Sequence, residues 1–372
     1  MVDGDVTDPT RPDTGIPPLR IGDLTVPLPI VCAPMAGGPT TPALVAEVGA
    51  AGGLGMLAAG YLGASAVAGL LDDVEGRTHR PYGVNLFLSG PDPLADDPTG
   101  LRARALADYR SELAADARHG AVPGEPRWSD EEVADKIAVL AAHRPALVSV
   151  TFGDPGGALV ARIHGDVGVP VAVTVTSLVE AGAAIGSGAD ALIVQGIEAG
   201  GHRGLWTDDP AQVAGGPRVP TADLVRIIGA AVDVPVIAAG GVTDGAAIRS
   251  MMSLGAAAAQ LGTAFLCCDE AGTSAPHRHA LLDRTFSDTV ITRAFSGRSA
   301  RSLRNDFATR HTAAPALYPH VHHLTKPLRA AATAADDPDG INLWAGTGWR
   351  AVTEGPAADL MARLTAELID GP

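Results

Sequence analysis

Four short stretches decide the fold: VPVAVTVTS at 169–177, ADALIVQG at 189–196, VPVIAAGG at 234–241 and AAAAQLGTAF at 256–265. Each is a run of small or β-branched apolar residues that gives way to a plausible helix or a glycine-rich loop. A strand that reads as a continuous apolar run, with no alternation, is buried on both faces, as in a parallel sheet covered by helices. Working outward, the same unit recurs toward the N-terminus. LPIVCAPM leads into TPALVAEVGAAG, GLGMLAAG into ASAVAGLLDDV, and PYGVNLFL, after a polar insertion, into DEEVADKIAVLAAHR; ALVSVTFG follows. The runs place eight strands at 29–34, 55–59, 82–87, 147–151, 171–175, 191–195, 236–239 and 258–261. Eight such strands predict an α/β chain folded as a closed (β/α)8 barrel, whose usual size is about 250 residues. An open doubly wound sheet is the competitor, but no GxGxxG follows the first strand.

The rest of the chain is arranged around that barrel. Residues 21–87 and 131–270 form it, and residues 88–130 and 271–345 are insertions that emerge at the rim as a smaller, mainly helical, substrate-covering subdomain. Residues 346–372 supply a C-terminal helix that packs on the barrel. The first 20 residues, rich in acids and prolines, read as a flexible tail and not as a signal peptide. No run of 18 apolar residues occurs, which argues against a transmembrane helix. A net charge of −15 removes the electrostatic footprint of a nucleic-acid binder. Cys32, Cys267 and Cys268 form no CxxC motif and no disulfide framework, so a reducing cytoplasm is expected. The expected state is a monomer or a homodimer.

In a parallel barrel the C-terminal strand ends carry the chemistry. Here the third strand ends near Asn85, the fourth at Thr151-Phe152-Gly153 and the sixth at Gln195. Asn85 and Gln195 each offer a donor and an acceptor, which suits the edge of a flavin or a nucleobase; the plainer reading is an amide tying neighbouring strands together. Gly240 and Gly241 follow the seventh strand, Gly262 and Thr263 the eighth. Loops at these two places commonly bind phosphate, with N–H groups of a helix N-terminus as donors, although glycines also simply make tight turns. His202 lies in EAGGHRG after the sixth strand, a glycine-flanked loop able to hold an imidazole at a cavity edge. His277 with His279, and His320 with His322 and His323, lack acidic or thiolate partners at metal-ligand spacing, so no metal is expected. Tyr318, His322 and Lys326 are spaced by four and would share a helix face, with Pro319 and Pro327 as possible interruptions.

Longer segments carry a resemblance. APMAGGPTTPALVAEVGAAGGLGMLAAGYL, YGVNLFL, VSVTFGDP, GADALIVQGIEAGGHRG, VPVIAAGGVTDG, LGAAAAQLGTAFLCCDEAGTS and TRAFSGRSARSLRND closely resemble the nitronate monooxygenase family, its class I branch in particular. The likeness runs from about Pro29 to Trp349. It implies an FMN enzyme on a TIM barrel that oxidises alkyl nitronates, such as propionate 3-nitronate, with O₂ to a carbonyl compound and nitrite. By matched motif, Asn85, Gln195, Gly200, Gly201, Gly240, Gly241, Gln260, Leu261, Gly262 and Thr263 would hold FMN, and Ala33, Pro34 and Met35 would line its ring. His202 would be the active-site histidine, while Tyr318 and Lys326 would line the substrate pocket. His322 departs from the family, which usually has a second tyrosine there. The resemblance favours a histidine that orients a pre-formed nitronate over one that deprotonates a nitroalkane. The alternative on the same barrel is an NAD(P)H-dependent enoyl-thioester or quinone reductase.

Overall fold

The computed structural model describes residues 15–370. Its centre is a closed barrel of eight parallel strands: β1 (Ile30–Cys32), β2 (Leu54–Ala58), β3 (Tyr82–Phe87), β4 (Leu147–Thr151), β5 (Val171–Val175), β6 (Ala191–Gln195), β7 (Val236–Ala239) and β8 (Ala258–Leu261). Consecutive strands pair in parallel, and β8 returns to β1 with Gln260 opposite Val31. β-Branched residues favour the extended backbone, and β2, β3, β5 and β7 are buried throughout, which explains why they read as unbroken apolar runs. All eight expected strands are present, within about two residues of their expected ends.

The first barrel helix, α1 (Pro42–Ala50), starts where a side chain and a proline dictate. Thr41 accepts a hydrogen bond from the N–H of Leu44, and Pro42 occupies the first turn, where no N–H is needed. The eighth barrel helix is formed by the end of the chain. That helix, α5 (Ala357–Ile369), buries Leu360, Met361, Leu364 and Leu368 against Leu44, Val48 and Ile248. It packs between α1 and α3 (Gly245–Ser253), so closely that a Cβ on Gly245 would lie 2.4 Å from the Leu368 nitrogen.

At the opposite end of the barrel a hairpin of Leu19–Ile21 and Leu24–Val26 closes the bottom. Leu19, Ile21, Leu24 and Val26 bury themselves among residues that begin the strands, including Val31, Leu54, Leu147, Ala172 and Ile237. The tail expected over residues 1–20 is therefore too long by at least Leu19 and Arg20, because burying Leu19 draws that segment into the fold. Residues 1–14 of that tail lie outside the described residues.

The two insertions form one subdomain over the C-terminal mouth. Leu106, Tyr109 and Leu113 of α2 (Leu101–Ala115) pack against Phe295, Phe307, Leu317 and residues Val321, Leu324 and Leu328 of α4 (His320–Ala334). The Tyr109 hydroxyl adds a 2.7 Å hydrogen bond to the Ala294 carbonyl. The subdomain is mainly helical but also holds an antiparallel sheet that the periodicity does not show. β9 (Thr289–Thr292) pairs with β10 (Ala300–Leu303), and β10 pairs with the two-residue strand Gly201–His202.

Candidate active site

A cavity of ≈ 450 Å³ opens where the strands end and the subdomain covers them. That volume suits a small-molecule or cofactor site. Ala33, Pro34, Met35, Asn85, Gln195, Gly200, Gly201, Gly240, Gly241, Gln260, Leu261, Gly262 and Thr263 all line it, as do His202 and Lys326. Tyr318 and His322 do not; they stand just behind the wall, around Tyr61.

The floor is backbone. Gly240 and Gly241 have φ of +110° and +73°, which L side chains rarely adopt, and a Cβ on Gly241 would come within 2.9 Å of the Glu198 Cβ. Among the described residues, the backbone N–H groups of Gly241, Gly262 and Thr263 donate to no other backbone group. Gly241 is exposed and Gly262 and Thr263 are half-buried where they line the cavity, so these amides are open to a ligand acceptor. The helix terminus after β7 is not the source of donors. Asp244 caps α3 by accepting from Ala247 N, and Glu367 accepts from Gly245 N, so the free donors belong to the glycine turns and to the single 3₁₀ turn Thr263–Phe265.

The two side-chain amides divide their work, with Asn85 inside β3, two residues before its end, and Gln195 at the end of β6. Asn85 Oδ1 accepts from the hydroxyls of Ser149 and Thr151, at 2.8 and 3.0 Å, and its Nδ2 has no protein acceptor among the described residues. Gln195 is committed to the neighbouring loop: its Nε2 donates to the His202 carbonyl at 3.1 Å and its Oε1 accepts from Gly204 N at 2.7 Å. The amide at the end of β6 therefore fixes the loop that presents His202.

His202 is held from several sides. Its backbone pairs with Ala300, its Nε2 lies 2.8 Å from the Ser296 hydroxyl, and its ring is within 5.2 to 6.4 Å of the rings of Trp344, Phe152, Tyr318 and Tyr61. Burial, reinforced by the positive charges of Arg298 and Arg329, pulls its pKa down to about 3. The imidazole is neutral across the physiological range and does not supply positive charge to this site.

Charge comes from the covering subdomain instead. Lys326 and Arg329 of α4 line the cavity, and no Asp or Glu does so among the described residues. The spacing expected to align Tyr318, His322 and Lys326 holds from His322 onward. Tyr318 precedes the helix at a cis peptide to Pro319, and Pro327 is accommodated inside it. His322 stacks face to face on Tyr61, with ring centroids 4.2 Å apart and planes 8° from parallel. Arg298 is buried behind Phe152 with its guanidinium carbon 4.1 Å from the ring centroid, a cation–π arrangement.

Tyr61, Ser296, Arg298, Arg329 and Trp344 escape the sequence reading. Tyr61 directly follows β2 and its loop, and the rule that strand ends carry function points to it. Its φ of +68° is stabilised by a hydrogen bond from its N–H to Glu131 Oε2, and Glu131 is itself paired with the fully buried Lys136 at 3.6 Å. Arg329 lies three residues beyond Lys326, on the same helical face. The histidine clusters disperse: His277 lines the cavity, His320 contacts Asp92 and His323 meets Arg127. Among the described residues no three His, Cys, Asp or Glu side chains gather as a metal site.

A barrel with an amide-rich glycine floor and a cationic, aromatic cover defines an enzyme of the (β/α)8 class with its site at the strand C-termini. The model of the nitronate monooxygenase family matches residues 21–367, and the chain belongs to that family. A nitronate monooxygenase of Pseudomonas aeruginosa is 40% identical over 91% of this chain and 96% of its own length. One from Paraburkholderia phytofirmans is 38% identical over 91% and 92%. Among solved structures, a nitroalkane oxidase from Streptomyces ansochromogenes superposes with a TM-score of 0.86 at 44% identity, covering 92% of this chain and 96% of that one. FabK from Thermotoga maritima follows with a TM-score of 0.70 at 25% identity, covering 92% and 93%. No helix among the described residues is long and apolar enough to cross a membrane.

Proposed function

We propose that this enzyme oxidises alkyl nitronates of the propionate 3-nitronate type with O₂ to a carbonyl compound and nitrite, using FMN held in the barrel mouth. The observation that carries this reading is electrostatic. In a chain of net charge −15, the cavity wall contains Lys326 and Arg329 and, among the described residues, no carboxylate. Local charge at short range outweighs the distant acidic surface, so the site draws in anions.

The residues present fit FMN. The unpartnered N–H groups of Gly241, Gly262 and Thr263 suit its phosphate, and the free Nδ2 of Asn85 suits an acceptor on the ring edge. The buried Gln260 Oε1, which lacks a donor, suits a ring or ribityl donor. Ala33, Pro34 and Met35 form the adjoining wall. When bound, FMN supplies the electron acceptor and the route to O₂.

The chain's own groups do the rest. Lys326 and Arg329 attract the nitronate anion. His202, neutral and held by Ser296, hydrogen-bonds and orients the anion beside the cofactor. Burial lowers the pKa of His202 and makes it a weak base, which favours the pre-formed nitronate as substrate over the neutral nitroalkane. Phe152, Tyr318 and Trp344 surround His202 and keep bulk water from it. Three buried free cysteines accord with work in the cytoplasm.

The test is direct. The purified protein is expected to show flavin absorbance and to release nitrite from propionate 3-nitronate with uptake of O₂. A colourless protein that FMN does not restore, or one releasing no nitrite, would overturn the proposal. Rapid anaerobic bleaching by NADH or NADPH would favour the reductase instead.

A further inference from the structure

Lys136 is fully buried in the barrel wall. It shares the helix Val133–His143 with Ile137 and Leu140, which belong to the barrel core. Its Nζ has no hydrogen-bond partner among the described residues and pairs with Glu131 Oε2 at 3.6 Å. Burial pulls the ammonium pKa down and the Glu131 carboxyl pKa up, and each charge opposes the other's shift. An apolar pair of similar volume serves a fold as well or better, so a buried ion pair of this kind asks for a role beyond stability.

The carboxylate has a second contact. Glu131 Oε2 accepts from the backbone N–H of Tyr61 at 3.3 Å, and the next residue, Glu132, accepts from Ala64 N at 2.8 Å. Two neighbouring acids thus span the loop that leaves β2. The junction is strained: φ is +68° at Tyr61, +59° at Glu131 and +48° at Glu132, three residues other than glycine in the left-handed region. The loop has no slack before Tyr61, since a Cβ on Gly60 would come within 2.2 Å of the Phe87 ring. Beyond the loop, the Tyr61 ring lines the cavity. It meets Phe87 edge-on at 5.3 Å, stacks on His322 at 4.2 Å and stands 6.4 Å from His202.

We propose that Glu131, held in place by Lys136, is a positioning residue that fixes the strained backbone of Tyr61 and so sets the aromatic wall beside His202. A carboxylate holds a peptide N–H more strongly than a neutral acceptor does, and Lys136 keeps that carboxylate charged inside the barrel wall. Neither Glu131 nor Lys136 lines the cavity, so their effect on turnover travels through Tyr61. The kinetic readout rests on the nitronate reading above; the placement of Tyr61 does not.

The experiment removes the pair without stranding a buried charge. In the holoenzyme of Glu131→Leu/Lys136→Met the wall stays apolar, and the melting temperature is expected to stay within about 5 °C of the wild type. KM for ethylnitronate is expected to rise about tenfold, with kcat changed less. Glu131→Gln/Lys136→Met restores a neutral acceptor for the Tyr61 N–H and should recover most of that rise. In a Tyr61→Ala background the apolar double substitution should add nothing further, because its effect runs through the missing ring. A wild-type KM in Glu131→Leu/Lys136→Met, or an equal rise with and without the Tyr61 ring, would overturn the proposal. If that variant does not fold, Glu131→Asp carries the same comparison: it keeps the charge opposite Lys136 and withdraws the carboxylate from Tyr61 by one methylene. If the wild type turns over no nitronate, the functional reading fails, and a crystal structure of the folded variant still decides. Tyr61 displaced from its stack on His322 supports the proposal, and Tyr61 unmoved overturns it.

Discussion

The floor and the cover of the cavity are built on opposite principles. The floor comes from the barrel, and its polar groups are backbone amides at Gly241, Gly262 and Thr263 with side-chain amides at Asn85 and Gln195. The cover comes largely from the insertions, and it brings the cations Lys326 and Arg329 together with Trp344 and, behind Tyr61, His322. Backbone donors on a rigid scaffold suit a group that is the same in every turnover; side chains on an added layer suit a ligand that varies. His202 joins the two, since Gln195 of the barrel holds its carbonyl and β10 of the subdomain holds its backbone.

The junction is where the largest effect is expected. His202→Asn is predicted to lower kcat/KM for a nitronate by about 100-fold or more, as loss of a preorganised polar group typically does. FMN content should stay close to that of the wild type. Unchanged nitronate turnover would show that His202 does not orient the substrate. On the floor, Gly241→Val places a side chain on a left-handed backbone, with its Cβ 2.9 Å from that of Glu198. FMN affinity should fall by about tenfold or more, read by flavin fluorescence on reconstitution. An effect on KM with FMN binding intact would break the division between floor and cover. On the cover, Lys326→Met should raise KM by about tenfold with little change in kcat; an effect confined to FMN content would sink its role as an anion anchor.

A separate effect is on stability. Burial lowers the pKa of His202 to about 3 and of His277 to about 4, below the ordinary 6.5. The unfolded chain takes up these protons first. Stability is therefore full above pH 6.5 and falls as pH drops toward 4, by up to about 1.4 kcal/mol per pH unit for each such histidine. Melting temperatures at pH 7.5 and 5.0 check the sign, and a higher value at pH 5.0 would contradict it.

The contrast between floor and cover also separates what the sequence reveals from what it hides. Runs such as ALIVQ and VIAA announce the barrel strands because a doubly covered strand has few other compositions, and the glycines after β7 and β8 mark the floor through the barrel's own geometry. The cover is different. The pairing of His202 with Ala300 joins segments far apart in the chain, and a two-residue strand has no periodicity to read. Arg329 was accessible from the spacing of α4, three residues past Lys326, yet among many arginines nothing local distinguishes one without a counter-ion. Tyr61 depends on Glu131 and Lys136, a buried pair from the start of the next barrel segment. Ser296 owes its role solely to its distance from His202.

The proposed function requires a neutral His202 to orient an anion already formed and to draw no proton from carbon. Steady-state oxidation of ethylnitronate and of freshly dissolved neutral nitroethane, at equal concentration and pH 7, tests it most directly. Nitronate turnover is expected to be at least about 100-fold faster, with nitroethane consumed only as it ionises in solution. Comparable rates on nitroethane from the first seconds would mean that His202, or another group in the cavity, acts as a base.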